Sequence, residues 1–199
     1  MNILFVCTGN TCRSPMAKAL LKEKSDHNVK SAGISARNGD PLSTGAIHVL
    51  SDHSLDTQDE AKLVDNELVS WADLVLTMTT QHKQILTIKF PKAFEKIFTL
   101  KEYTIDEDQS TWEQLKQAYL NLEEKRVIVL EETGQQQTEQ QLRAFLREEQ
   151  DEIERLEAEM PNYDIKDPFG GDKTAYQETF KEIEKYIELL IEKLENRDK

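Results

Sequence analysis

Val6-Cys7-Thr8-Gly9-Asn10-Thr11-Cys12-Arg13-Ser14-Pro15 is the stretch around which this chain is organised. The apolar run Asn2-Ile3-Leu4-Phe5-Val6 leads into it and reads as a buried strand. Met16-Ala17-Lys18-Ala19-Leu20-Leu21-Lys22 follows with good helix propensity. Pro15 fits near the start of that helix, where its missing N–H would have no partner anyway. Residues 7–13 are therefore a short loop between a strand end and a helix N-terminus. Backbone N–H groups converge at such a place, and the helix dipole favours an anion.

Five residues separate Cys7 from Arg13, enough for the loop to curl and bring both onto one bound group. A thiol is a poor nucleophile until ionised, and a helix N-terminus with a nearby Arg favours the thiolate. Arg13 offers a planar fork that grips two phosphate oxygens. Ser14 can donate its hydroxyl to the thiolate and ease its departure from a phospho-cysteine. Gly9 is expected to take a backbone conformation closed to other residues, and Asn10 to tie the loop by side-chain hydrogen bonds. Thr8, Thr11 and Cys12 complete the cradle around the phosphate. The residues describe a phosphate site with a covalent nucleophile inside it.

The spacing Cys-x5-Arg-Ser is a phosphatase signature, and the ten-residue string is far more specific than that spacing alone. It resembles the N-terminus of the low-molecular-weight protein tyrosine phosphatase family.

The chain has 199 residues, a length for one α/β domain or one domain with an elaboration. A net charge of −13 opposes nucleic-acid and anionic-membrane binding, so positive potential at the anion site must be made locally. No apolar stretch approaches a membrane span, and no basic region precedes the apolar run at the N-terminus. A cleaved signal there would remove the cysteine loop, so a cytoplasmic protein is expected. Both cysteines, Cys7 and Cys12, lie in that loop, which excludes a structural disulfide framework.

Further along, Val29-Lys30-Ser31-Ala32-Gly33-Ile34 reads as a second strand, closed by the polar loop Arg37-Asn38-Gly39-Asp40-Pro41. A helix is predicted over 43–52, then an irregular segment over 55–62. Asp73-Leu74-Val75-Leu76-Thr77-Met78 lacks alternation, as a strand covered on both faces should. Thr79 or Thr80 caps a helix over 81–90 that ends against Pro91, and Lys96-Ile97-Phe98-Thr99-Leu100 is a fourth strand. Residues 175–195 carry Tyr176, Phe180, Ile183, Tyr186, Ile187, Leu190 and Leu194 on one stripe of a long amphipathic helix. The order predicts an α/β fold, a four-stranded parallel open sheet with helices on both faces. Ligands bind such sheets at the carboxyl ends of the strands, where Cys7 lies.

Residues 104–162 do not fit this plan and read as an acidic, helical insertion within a single phosphatase domain spanning 1–199. A capping-box spacing from Thr111 to Gln114 predicts a helix start. A break follows at 134–137, and then a second helical run over 138–160. A helical hairpin is the arrangement expected. Arg126-Val127-Ile128-Val129-Leu130 reads either as a strand or as the apolar end of the first helix. The insertion is either a tolerated surface elaboration or a docking face for a protein partner or a second copy.

A phospho-cysteine mechanism also needs an acid for the leaving group and a base for water. Asp167-Pro168-Phe169-Gly170-Gly171 taken alone is an ordinary turn. The family resemblance, which covers about 2–103 and 164–194, implies that this late Asp-Pro loop delivers the general acid, Asp167. Tyrosine-specific members carry tyrosines after that Asp-Pro pair; here Phe169-Gly170-Gly171 stands instead. With Thr11 in the cysteine loop, the chain resembles the bacterial protein arginine phosphatases within the family. The resemblance thus implies hydrolysis of phosphoarginine on phosphorylated proteins, with Thr11 beside the phosphoramidate nitrogens and Phe169 as an apolar wall. Around Gln58-Asp59-Glu60 the family often has a His near the position of Asp59, and this chain is acidic there.

No cofactor and no metal is expected: His27, His48, His53 and His82 form no ligand set with spaced carboxylates and are read as surface or packing residues. Cys12 is read either as packing beneath the loop or as a partner for a reversible disulfide with Cys7. Three competing functions remain at this point. They are a phosphotyrosine phosphatase, a thiol-dependent arsenate reductase short of the extra cysteines it needs, and an interaction module acting through the insertion.

Overall fold

The computed structural model describes residues 1–105, 109–133, 139–159 and 161–197. They divide into two compact units, Met1–Asp106 with Tyr163–Lys199, and Glu107–Asn162.

In the first unit β1 (Asn2–Cys7), β2 (Asn28–Gly33), β3 (Leu74–Thr77) and β4 (Ile97–Thr99) form one sheet in the order β2-β1-β3-β4, with every pairing parallel. Strands β1 and β3 are central and almost wholly buried, which is why they read as unbroken apolar runs. The alternate side chains of β1 serve two cores. Ile3, Phe5 and Cys7 pack with α1 (Arg13–Lys24), α2 (Thr44–Asp52) and α9 (Lys173–Arg197). Leu4 and Val6 pack on the other face with α3 (Asn66–Trp71) and α4 (Thr80–Lys89). The expected α/β architecture is the one found.

Local signals set most of the ends. Ser43 caps α2, accepting from Ala46 N, and Thr79 caps α4, accepting from His82 N. Pro91 opens a 3-10 turn, Pro91–Lys96, just beyond α4. The fourth strand is shorter than expected. Thr99 and Glu102 form a reciprocal capping box that starts α5 (Leu100–Thr104), which takes Leu100 out of the strand. The segment before β3 is helical too, as α3, because Asp65 caps it through Leu68 N.

The predicted stripe of α9 is buried as expected, Phe180, Ile183, Ile187 and Leu190 fully so, with Tyr186 packed at the margin.

The second unit contains α6 (Gln109–Thr133), α7 (Glu139–Phe145) and α8 (Arg147–Glu159). Tyr119 bonds Glu157 and Lys125 bonds Glu149, so α6 and α8 run antiparallel over a small core of Ala118, Leu122, Ile153 and Leu156. The two-helix packing matches the expected hairpin, with α7 split from α8 at Leu146. Residues 126–130 are helical. The start expected at Thr111 is corrected, since α6 already runs from Gln109 and Thr111 lies inside it. A Thr-x-x-Gln spacing occurs inside helices as readily as at their ends. The break expected at 134–137 lies outside the described residues.

Phe180, with no exposed surface, sits where α9 meets the sheet core. Phe180→Ala should lower unfolding free energy by about 3–5 kcal/mol, read from urea midpoints at constant m.

Candidate active site

The four parallel strands end at one edge, and the cysteine loop crosses that edge between β1 and α1. Cys7, Thr8, Gly9, Thr11, Cys12 and Arg13 line a pocket with Asp167 and Phe169, with about 200 Å³ open to water. Ser14 and Asn10 lie beneath it, fully buried.

The loop is held from behind by Asn10. Its backbone takes the left-handed conformation (φ 57°), and its N–H points at Cys7 Sγ, 3.3 Å away. Its Nδ2 donates to Ser14 Oγ at 2.9 Å and to Ser31 Oγ at 3.0 Å, and its Oδ1 accepts from Lys62 N at 2.8 Å. The expectation for Gly9 is thereby corrected. Gly9 is not in the left-handed region, and Asn10 makes that turn instead, because an Asn side chain tolerates it and here gains three bonds. The glycine that the loop cannot spare is Gly33, at the end of β2. A Cβ there would lie 2.5 Å from Thr8 O and 2.9 Å from Asn10 N.

Cys7 Sγ lies 3.0 Å from Ser14 Oγ. Ser14 has one hydrogen and two candidate acceptors, the sulfur and Ala32 O at 3.3 Å. A thiolate competes for that hydrogen better than a carbonyl that already belongs to a strand. Ser14 and Asn10 N therefore form a two-donor seat for an ionised sulfur.

Arg13 is buried although charged. Its Nη1 donates to Ile165 O at 3.2 Å, and its Nη2 donates to Asp167 Oδ2 at 2.5 Å and to Thr8 Oγ1 at 3.4 Å. The guanidinium thus joins the N-terminal loop to the segment carrying Asp167. That segment is strapped down along its length. Ile165 N donates to Met78 O, Thr80 N donates to Asp164 Oδ1, and Lys101 Nζ donates to Asp164 O. Lys101 also pairs with Glu182 on α9. Beyond it, Gly171 N closes a turn on Pro168 O with Gly170 at φ 77°, and Phe169 stands at the corner, 74% exposed.

Cys12 is buried, its thiol donating to Ser43 Oγ at 3.1 Å and lying 3.6 Å from Tyr176 Oη. Burial holds the Tyr176 phenol above its usual pKa. Asp59 pairs with Lys18 on α1 at 2.9 Å, in a separate shallow pocket lined also by Lys22, Leu42 and Leu55.

Two contributors to the site escape sequence reading. Ser31 supports Asn10 from β2. His82, read as a surface or packing residue, bonds Thr8 Oγ1 through Nε2 at 2.9 Å and Thr79 Oγ1 through Nδ1 at 2.9 Å. A polar residue three positions after a capping Thr is the only sequence signal for His82, and it does not identify a partner 74 residues away. The other histidines stay clear of the loop's hydrogen bonds, and no cluster of three potential metal ligands occurs among the described residues. None of the described helices is long and apolar enough to cross a membrane.

The sequence matches the family model described as low molecular weight phosphotyrosine protein phosphatase over residues 2–152. The chain belongs to that family. With that membership it is a phosphatase. A protein-arginine-phosphatase of Geobacillus stearothermophilus is 44% identical over 108 residues, which span 53% of this chain and 73% of that protein. The solved structure of YwlE arginine phosphatase from the same organism superposes with a TM-score of 0.69 at 32% identity, over 98% of this chain and 94% of its own. A structure of a YwlE arginine phosphatase C7S mutant with a phosphorylated active-site serine gives 0.68 at 31% identity, over 98% and 96%.

His82 also sets a pH dependence. Burial first and Arg13 second push its pKa from 6.5 down to about 4. Above pH 6.5 the ring is neutral in both folded and unfolded chains. As the pH falls from there toward 4, the unfolded chain takes a proton that the folded one refuses, so stability drops. The total reaches about 3 kcal/mol by this route. Carboxylates titrate nearby, so the measurement is a difference: urea unfolding of His82→Gln from pH 7 to 4 should show a shallower loss than the unsubstituted protein.

Proposed function

We propose that this phosphatase hydrolyses phosphoarginine on proteins through a phospho-cysteine intermediate. One observation carries the reading: Thr11 and Phe169 line the same pocket as Cys7, Arg13 and Asp167. Thr11 is small and brings a hydroxyl to the mouth of the pocket. Phe169 offers an exposed ring to the flat face of a guanidinium. The likeness to relatives named protein-arginine-phosphatase and the phosphorylated active-site serine of the C7S mutant support both parts of the proposal.

The steps follow from the geometry. The Cys7 thiolate, seated by Ser14 and Asn10 N, attacks phosphorus in line. Arg13 and the loop N–H groups hold the equatorial oxygens as charge develops. The phosphoryl group takes over the Arg13 guanidinium that Asp167 pairs with. Released from that cation, the Asp167 carboxylate takes up a proton from solvent and gives it to the departing guanidine nitrogen as the P–N bond breaks. Water then attacks phospho-Cys7. Asp167 accepts the water's proton, phosphate forms, and the sulfur leaves as thiolate, accepting again from Ser14. The buried thiol of Cys12 serves the loop's packing through Ser43 and Tyr176.

We read residues 104–162 as an insertion into one phosphatase domain, since the segments on either side of it together make the sheet unit. A cytoplasmic setting is part of the same proposal, as phosphorylated proteins are the substrates.

Cys7→Ser should abolish turnover. Asp167→Asn should lower kcat by about 10²- to 10⁴-fold, most steeply for substrates with poor leaving groups, in steady-state assays. The substrate is tested by kcat/KM for a phosphoarginine and a phosphotyrosine peptide, with the unsubstituted protein and Thr11→Ile. Preference for phosphoarginine that Thr11→Ile shifts toward phosphotyrosine is the expected result. Preference for phosphotyrosine in the unsubstituted protein would make it a tyrosine phosphatase of the same family.

A further inference from the structure

The chain Thr79–His82–Thr8–Arg13 connects the N-terminus of α4 to the phosphate-gripping guanidinium through three hydrogen bonds, at 2.9, 2.9 and 3.4 Å. Its direction can be worked out by counting hydrogens. Thr79 is the N-cap of α4, and its Oγ1 already accepts from His82 N at 3.2 Å. The Thr79 hydroxyl has one hydrogen, and among the described residues its remaining partner is His82 Nδ1. Donation to Nδ1 makes that nitrogen the bare one. A neutral imidazole then carries its hydrogen on Nε2, which faces Thr8 Oγ1. The reverse arrangement would make Thr79 Oγ1 accept twice from His82 and leave the Thr79 hydrogen with no protein acceptor among the described residues. Burial, which holds the ring neutral, leaves it one hydrogen to place.

Thr8 Oγ1 therefore accepts from His82 Nε2–H on one side and from Arg13 Nη2 on the other. With its acceptor sites taken, its own hydrogen is left for a group in the pocket that Thr8 lines. The same Arg13 nitrogen bonds Asp167. The orientation of Thr8 thus bears on the anion grip and on the acid together.

We infer that His82 is a positioning residue for phosphoryl transfer, acting through Thr8: its Nε2–H fixes the Thr8 hydroxyl as an acceptor for Arg13 and turns the Thr8 hydrogen toward the bound phosphoryl group. This rests on the phospho-cysteine reading above. It assigns His82 and Thr79 roles that neither packing nor capping alone would give them. The effect falls on the transition state, where equatorial oxygens gain charge and the alignment of Arg13 counts most.

The test uses His82→Phe, which keeps a ring and removes both nitrogens, and His82→Gln, whose amide N–H reaches about as far as Nε2. Thr8→Val and the double variant His82→Phe/Thr8→Val complete the set. Turnover of para-nitrophenyl phosphate and of phosphoarginine is measured for each. His82→Phe and Thr8→Val should each lower kcat about tenfold, with KM changed far less. The double variant should be no worse than either single one, because both break the same link. His82→Gln should recover most of the loss. Histidine ¹⁵N spectra of the unsubstituted protein provide a reading that survives a variant's failure to fold: His82 should be protonated on Nε2 and bare on Nδ1. Wild-type kcat in His82→Phe, losses that multiply in the double variant, or a hydrogen on Nδ1 would each overturn the inference. An unsubstituted protein that hydrolyses neither substrate would instead overturn the proposed function, and the spectra would still test the hydrogen-bond direction.

Discussion

Asn10 is the constraint on which the cysteine loop depends. It is fully buried, its backbone is left-handed, and its side chain makes three hydrogen bonds that join the loop to Ser14, to Ser31 on β2 and to the backbone at Lys62. A buried amide with unmet hydrogen-bonding capacity costs more than each bond contributes when made. The loop therefore has one low-energy shape, fixed from the protein side. Asn10 N–H and the Arg13 side chain already lie at the pocket, so on the phospho-cysteine reading the loop itself has little to rearrange as charge develops. Gly33 belongs to the same constraint, since only its missing side chain lets β2 approach Thr8 and Asn10 so closely.

Arg13 then carries that order across the sequence. Its guanidinium holds Ile165 O and Asp167, residues separated from it by more than 150 positions, while belonging to the first turn of α1. The parallel sheet makes this economical. Every strand ends at the same edge, so the loop after β1, the cap after β3 and the strap formed by 164–167 meet without long excursions. Lys101 and Glu182 fix the strap to α5 and α9. Asp167, the acid of the proposed mechanism, is thereby placed by backbone hydrogen bonds and by the buried Arg13 and Lys101, and its neighbour Phe169 is left at an exposed turn.

The sequence was informative where a residue's role is local. Uninterrupted apolar runs located β1 and β3, the spacing of Ala46, Val49 and Leu50 located α2, a capping hydroxyl located α4, and the stripe of α9 named its own buried face. It misled where two local signals compete. Leu100 has strand-forming neighbours, yet Thr99 and Glu102 cap a helix that claims it. Gly9 has the freedom for a left-handed turn, yet Asn10 takes it because a polar side chain there finds buried partners. Asp167 is a common turn residue by its own neighbours and gained a role only through family resemblance.

By itself, then, the sequence determined the strand-loop-helix unit that bears Cys7, Arg13 and Ser14, the parallel α/β plan and the amphipathic helices, because each depends on residues within about one or two turns of one another. The tertiary structure alone decided that Ser31 supports Asn10, that Arg13 meets Asp167, and that His82 bonds Thr8. Those pairs lie 21, 154 and 74 positions apart. Each pair has one member, Asn10, Arg13 or His82, whose polar groups the fold buries and must satisfy with a partner brought from a distant segment.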